Sequence, residues 1–163
     1  MHRLEPSGYV YNVPNYFRLN GELDLDAFKK GLELVVARHE VLRTIFPVVE
    51  GEPTQVIKPS SELEIPVIDL SGLLEMDQEA EAERLTTQEV YQPFDLENGP
   101  VIRVKVIRFD KQDHVILITL HHIVADAWSL GILIREFSIA YEGYLYGKDV
   151  QLPELPIQYA DYA

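Results

Sequence analysis

Residues 115–120, Val-Ile-Leu-Ile-Thr-Leu, form an almost wholly apolar, β-branched-rich run. A run of this kind reads as a central strand covered on both faces, and it narrows the fold more than any other stretch of the chain. It leads directly into His121-His122-Ile123-Val124-Ala125-Asp126, so two histidines and a carboxylate emerge where the core ends. Adjacent residues of an extended strand point to opposite sides, and the two histidines cannot both face one small ligand while the strand continues through them. One of them is therefore read as structural. Beyond Asp126 the apolar residues Leu130, Leu133, Ile134, Phe137, Tyr141, Tyr144 and Leu145 recur three or four apart, which predicts a helix with Asp126 as its N-cap.

The rest of the chain alternates strand and helix signals without repeats. A strand is expected over 13–19. Asp24 then caps a helix whose inward stripe is Leu25, Phe28, Leu32, Val35, Val36 and His39. Residues 44–49 and 54–57 read as a hairpin around Glu50-Gly51-Glu52-Pro53, and a strand follows over 65–68. The carboxylates from Glu75 to Glu89, interrupted by one arginine, Arg84, read as a solvated helix face ending near Pro93. Over 101–109, Ile102, Val104 and Val106 alternate with Arg103 and Lys105. The short loop 110–114 joins this strand to the histidine-bearing one as an antiparallel pair. The expected class is α/β, a mixed sheet with packed helices. Leu152-Pro153-Glu154-Leu155-Pro156 reads as a linker.

Composition narrows function by exclusion. At 47% hydrophobic and 25% charged over 163 residues, the chain is expected to be globular, and one domain is the economical count. The formal charge of -13 disfavours nucleic-acid binding, which needs clustered Lys and Arg. No stretch approaches a membrane span and the start lacks a signal peptide's apolar core, so no membrane partner is expected and a cytoplasmic location is. Absence of cysteine excludes disulfides, zinc-thiolate sites and a cysteine nucleophile. The two histidines and one carboxylate supply too few convergent ligands for a metal. Ser129 lacks a nucleophile elbow, so a serine triad is poorly supported.

The order His-His-x-x-x-Asp followed by Trp128-Ser129 resembles the active-site signature of the nonribosomal peptide synthetase condensation domain. That family lies within the chloramphenicol acetyltransferase-like superfamily. The run Arg38-His39-Glu40-Val41-Leu42-Arg43-Thr44-Ile45-Phe46 resembles the family motif RHExLRTxF at every defined position. Tyr11-Asn12-Val13-Pro14, Leu19-Asn20-Gly21-Glu22-Leu23-Asp24, Pro93-Phe94-Asp95-Leu96 and the closing run from Gln158 to Ala163 follow in family order.

The resemblance implies a single lobe of a two-lobed fold. Residues 1–163 would be the N-terminal lobe, truncated at its start and ending at the linker, about 151–163, to a missing second lobe. It implies acyl transfer: a carrier-bound donor thioester is attacked by a carrier-bound acceptor amine. No cofactor is bound directly, because the phosphopantetheine arm belongs to partner carrier domains. His122 is then the catalytic candidate, as general base or as a positioning and electrostatic group, since an imidazole titrates near pH ~6.5. His121 is expected to fix the loop by hydrogen bonding. Asp126 takes a structural role, paired with an arginine of the RHExLRTxF run. Arg43 is preferred to Arg38, which reads as an exposed last-turn cation complementing the helix dipole. The family usually carries Gly where this chain has Ala127; a positive φ there would cost alanine about 1 kcal/mol, so either the turn is ordinary helix or the site is slightly strained. The isolated lobe is expected to be inactive and prone to self-association. The alternative function is a non-catalytic lobe that docks carrier domains.

Overall fold

The computed structural model of the chain describes residues 8–60, 62–124 and 127–155. In chain order the elements are a 3-10 turn (Gly8–Tyr11), β1 (Asn12–Asn20), α1 (Leu25–Arg38), a second 3-10 turn (Glu40–Arg43), β2 (Thr44–Ile45), β3 (Val48–Val49), β4 (Glu52–Pro53), β5 (Val56–Ile57), β6 (Val67–Asp69), α2 (Glu75–Tyr91), β7 (Ile102–Arg108), β8 (Asp113–His121) and α3 (Ala127–Leu145). They divide between two units. The first is made of Met1–Leu23, Glu64–Phe94 and Ile102–Ile123, the second of Asp24–Leu63, Asp95–Val101 and Val124–Ala163.

In the first unit the apolar run becomes β8, an inner strand flanked antiparallel by β1 and β7; β6 joins β7 in parallel, giving the order β1-β8-β7-β6. This is the expected mixed α/β arrangement. The expected strand over 65–68 starts two residues late. Pro66 has no N–H to give a ladder, and only its carbonyl takes part, accepting from Val106 N–H at 3.0 Å.

Because strand side chains alternate, the pairs Ile107↔Val115, Lys105↔Leu117 and Arg103↔Thr119 share one sheet face. There Ile107, Phe109 and Leu117 form a cluster with Leu70 and with Ala82 of α2. The opposite face carries the pairs Ile102↔Leu120 and Val106↔Ile116, all four residues being buried. Each such aliphatic burial stabilises by about 1.5–3 kcal/mol. The strand carrying the histidines is thus fixed from both faces. The solvated reading of the acidic helix fails at one position: Glu89 is buried on this α2-covered face.

In the second unit, Asp24 caps α1 as expected, its carboxylate accepting from Ala27 N–H at 2.8 Å. His39 does not extend the helix. It adopts extended backbone at the C-cap, and the chain turns through Glu40–Arg43 into β2. Phe28 of α1 packs edge-on against Phe137 of α3 with centroids 5.1 Å apart. A Cβ on Gly31 would lie 3.3 Å from both Phe137 Cε2 and Tyr141 N, so the glycine permits the close helix crossing.

The buried stripe of α3 departs from the expected one. Glu136 and Ala140 are buried, whereas Tyr144 and Leu145 are each 39% exposed. Small residues set the approach: a Cβ on Gly143 would meet Val150 Cγ2 at 2.5 Å. Ala127 opens α3 in ordinary helical geometry, and among the described residues the one non-glycine at positive φ is Glu50. Glu50 (φ 53°) and Gly51 (φ 88°) form a two-residue turn closing β3 onto β4. It has the left-handed pair that tight hairpins need, so Glu52 and Pro53 belong to the ladder and not to the turn.

Among the described residues no helix is long and apolar enough to cross a membrane. The linker reading over 151–163 is described only as far as residue 155.

Candidate active site

The strand ends between the two histidines. β8 includes His121 and stops there, and His122 enters a turn whose first tie is the His122 N–H to Tyr11 carbonyl bond at 2.8 Å. Termination at this point gives the two imidazoles different surroundings. His121 is 7% exposed, on the α2-covered face by the alternation of β8. Its ring lies between Tyr11, centroids 5.9 Å apart, and Phe94, 5.8 Å apart and nearly perpendicular. His122 is exposed.

His121 Nδ1 accepts a hydrogen bond from Ile123 N–H at 3.2 Å. That bond spans His122 and ties the turn back to the strand end. It also fixes the tautomer, since an accepting Nδ1 leaves the proton on Nε2 in the neutral ring. Burial pushes the His121 pKa below its ordinary value, and the charge of neighbouring His122 pushes the same way. A neutral His121 keeps Nδ1 available as an acceptor. The geometry therefore separates a buried ring that ties the turn to the strand end from a ring that is exposed.

Arg43 belongs to the second unit. Its Nη1 donates to the Lys58 carbonyl at 2.7 Å and Nη2 lies 3.4 Å from Glu40 Oε1. Its Nε is buried with no hydrogen-bond partner among the described residues. Asp126, its expected partner and the expected cap of α3, lies outside the described residues, as do the side chains of Trp128 and Ser129. Arg38 is not the exposed cation expected from sequence. Its side chain is 16% exposed, with Nε 3.1 Å from Glu136 Oε2, and it also donates to the Pro153 carbonyl. His39 Nε2 contacts the same buried Glu136 oxygen at 2.7 Å. These two motif residues join α1 to α3 within the second unit.

Sequence reasoning missed Tyr11 and Phe94 as the walls around His121. Both lie in runs singled out for other reasons, and the β1–β8 register, which sets Asn12 opposite His121 and so brings the preceding Tyr11 close, is not readable from either run alone. Among the described residues no group of three or more His, Cys, Asp or Glu side chains converges as a metal site would require.

A family model described as Condensation domain matches residues 1–163. A linear gramicidin synthase from Brevibacillus parabrevis is 44% identical over 161 residues, covering 99% of this chain and 2% of that protein. Among solved structures, the X-domain from teicoplanin biosynthesis superposes with a TM-score of 0.83 at 29% identity, over 98% of this chain and 33% of that one. It is also solved in complex with OxyB, with a TM-score of 0.82 at 30% identity and cover of 98% and 34%. The first condensation domain of the calcium-dependent antibiotic synthetase, in complex with a substrate analogue, gives a TM-score of 0.82 at 25% identity over 93% of this chain and 36% of that one. The chain therefore spans a few per cent of the curated relative and about a third of each solved domain, and with a family model matched along its whole length it belongs to the condensation domain family.

Proposed function

We propose that this chain supplies the histidine-bearing wall of a peptide-bond-forming acyltransferase of the nonribosomal peptide synthetase type. The acceptor amine attacks the carbonyl carbon of the donor thioester, the C–N bond forms and the C–S bond breaks. The thiol leaves on the phosphopantetheine arm of the donor carrier domain and takes up the proton the amine gives up. His122 meets that amine, either receiving the proton or holding the nitrogen in line. Carrier domains are the partners, and the phosphopantetheine arms arrive with the substrates.

The observation that carries this reading is the exposure of His122 at the end of a buried strand, with its backbone held by Tyr11. A positioned acid-base group contributes about 10²–10⁴-fold in rate. The test is His122→Ala in a complete condensation domain containing this sequence, assayed with loaded carrier domains. Product formation should fall by about that factor with folding unchanged, and wild-type turnover would remove His122 from the reaction. The 163 residues alone, matching about a third of the solved domains, are expected to fold without condensing. Half a channel cannot hold two tethered substrates in register.

The teicoplanin X-domain, about a third of which is similar to 98% of this chain, forms a complex with OxyB. That favours a second reading in which the lobe docks a protein partner without chemistry of its own. An inactive His122→Ala variant that still captures loaded carriers separates the two, since docking alone does not need the imidazole.

A further inference from the structure

We infer that Arg103 is a positioning residue for the histidine pair, acting through the ring of Phe94. The inference rests on the proposed role of His122 for its consequence in catalysis, and Arg103, Phe94, His121 and His122 all belong to the first unit.

Arg103 sits on β7, on the same sheet face as His121, and its side chain is only 14% exposed. Its guanidinium is committed on every side. Nε donates to Glu89 Oε1 at 2.6 Å, Nη1 to the Pro93 carbonyl at 3.2 Å, and Nη2 to the carbonyls of Gln92 at 2.8 Å and Glu89 at 3.4 Å. Those three carbonyls lie at the C-terminal end of α2 and in the two residues that lead into Phe94. The cation thus satisfies acceptors that the helix leaves open at its negative end.

The same guanidinium stacks 3.7 Å from the Phe94 ring centroid, which is close for a cation–π contact. One side chain fixes both the backbone that delivers Phe94 and the ring's plane. Asn12, the register partner of His121, grips the same segment from β1: its Nδ2 donates to Val90 O at 2.7 Å and Gln92 O at 2.8 Å. Phe94 then meets His121 edge-on, and His121 holds Ile123 N–H across the turn that presents His122. The mechanical order is Arg103, Phe94, His121, turn, His122.

Lysine cannot substitute. A single ammonium has neither the fork that spans three carbonyls and a carboxylate nor the flat face that stacks on a ring. Glu89 anchors the fork, and Lys105 Nζ, 2.6 Å from the second carboxylate oxygen, shares that anchor, whereas the cation stacked on the Phe94 ring is that of Arg103.

The test is ring ¹⁵N–¹H NMR of the two histidines across pH in the full 163-residue chain, for Arg103→Lys, Arg103→Met, Phe94→Leu and Lys105→Met. The expected result is that Arg103→Lys, Arg103→Met and Phe94→Leu each free His121. Its Nε2–H preference is lost and its titration moves up toward the ordinary histidine range. Lys105→Met lowers stability while leaving both rings' signals in place. Unmoved His121 signals in folded Arg103→Lys or Phe94→Leu protein would overturn the inference, as would an equal shift in Lys105→Met. Phe94→Leu leaves the Arg103 fork intact and keeps the inference falsifiable if the arginine variants do not fold.

In a complete domain, Arg103→Lys should lower turnover about 10–100-fold with carrier KM little changed, the effect expected of a misplaced reacting group. A His122→Ala variant with full activity would sink the catalytic reading and leave the NMR result to decide the positioning claim by itself.

Discussion

Glu89→Ala should be among the most damaging single substitutions in the first unit, although Glu89 lies on a helix whose other carboxylates face water. The Glu89 side chain is 3% exposed and contacts two cations at 2.6 Å, Arg103 at 14% and Lys105 at 21% exposure. Burial alone would raise the Glu89 pKa, but the close contacts with Lys105 and Arg103 outweigh it and hold the carboxyl below the ordinary range. Removing the carboxylate leaves both cations uncompensated beneath α2. Breaking one buried pair this way costs about 3–5 kcal/mol. For a chain of this length each kcal/mol lowers Tm by about 2–4 °C, so the expected drop is about 6–20 °C. Thermal unfolding followed by far-UV circular dichroism measures the drop in Tm, and urea denaturation the free-energy cost.

The same carboxylate has a pH signature. A depressed folded-state pKa gives stability that is present above the unfolded carboxylate pKa of about 4.3 and is lost as pH falls through the lower folded value. Glu89→Gln should flatten the acid limb of the stability curve. Replacing all three groups at once, Glu89→Leu with Arg103→Met and Lys105→Met, should recover most of the loss, because no buried charge is then unpaired. A Glu89→Ala cost below about 1 kcal/mol with unchanged m-value would refute the reasoning, since it would mean water reaches the cations in the folded state.

His121 gives a second pH effect near neutrality. Its folded pKa is depressed by burial, so the unfolded chain protonates first. Stability should fall as pH drops from above about 6.5 through the folded value and then level, and wild type minus His121→Gln in Tm across pH 8 to 5 isolates the slope. The pairing of Arg43 with Asp126 is tested by a double-mutant cycle. The buried Arg43 Nε leads us to expect a coupling of about 1 kcal/mol or more, and fully additive losses would end the pairing.

Much of the fold was legible because its strongest signals are local. The apolar run at 115–120, the Asp24 cap, and the alternation on β7 each encode their own element. What was not legible depends on partners far away in sequence. Arg103 and Lys105 alternate with valines as solvent-facing residues would, and Glu89 lies in a carboxylate run that looks solvated. Only the pairing of α2 over β7 brings the three together away from water. Arg38 was misread for the same reason, since its buried partner Glu136 lies 98 residues on. The α3 stripe was misplaced because volume, not hydrophobicity, decided the contact: Ala140 is buried and Leu145 is not.

The division of labour between the two histidines follows from a single backbone event, the end of β8 at His121. Had the strand run one residue further, His122 would have been carried onto the opposite sheet face, which is lined by Leu120 and Ile102, and an imidazole there would lose hydration without gaining a partner. Stopping the ladder exposes His122. The same stop leaves the turn's N–H groups without sheet partners, and His121 Nδ1 takes the one from Ile123 while the Tyr11 carbonyl takes the one from His122. The buried histidine is thus needed because the exposed one is placed in a turn. A residue at 121 that cannot accept a hydrogen bond, as in His121→Leu, would keep the apolar packing against Phe94 and Tyr11 yet lose the tie across the turn, so packing and presentation of His122 are separable in this fold.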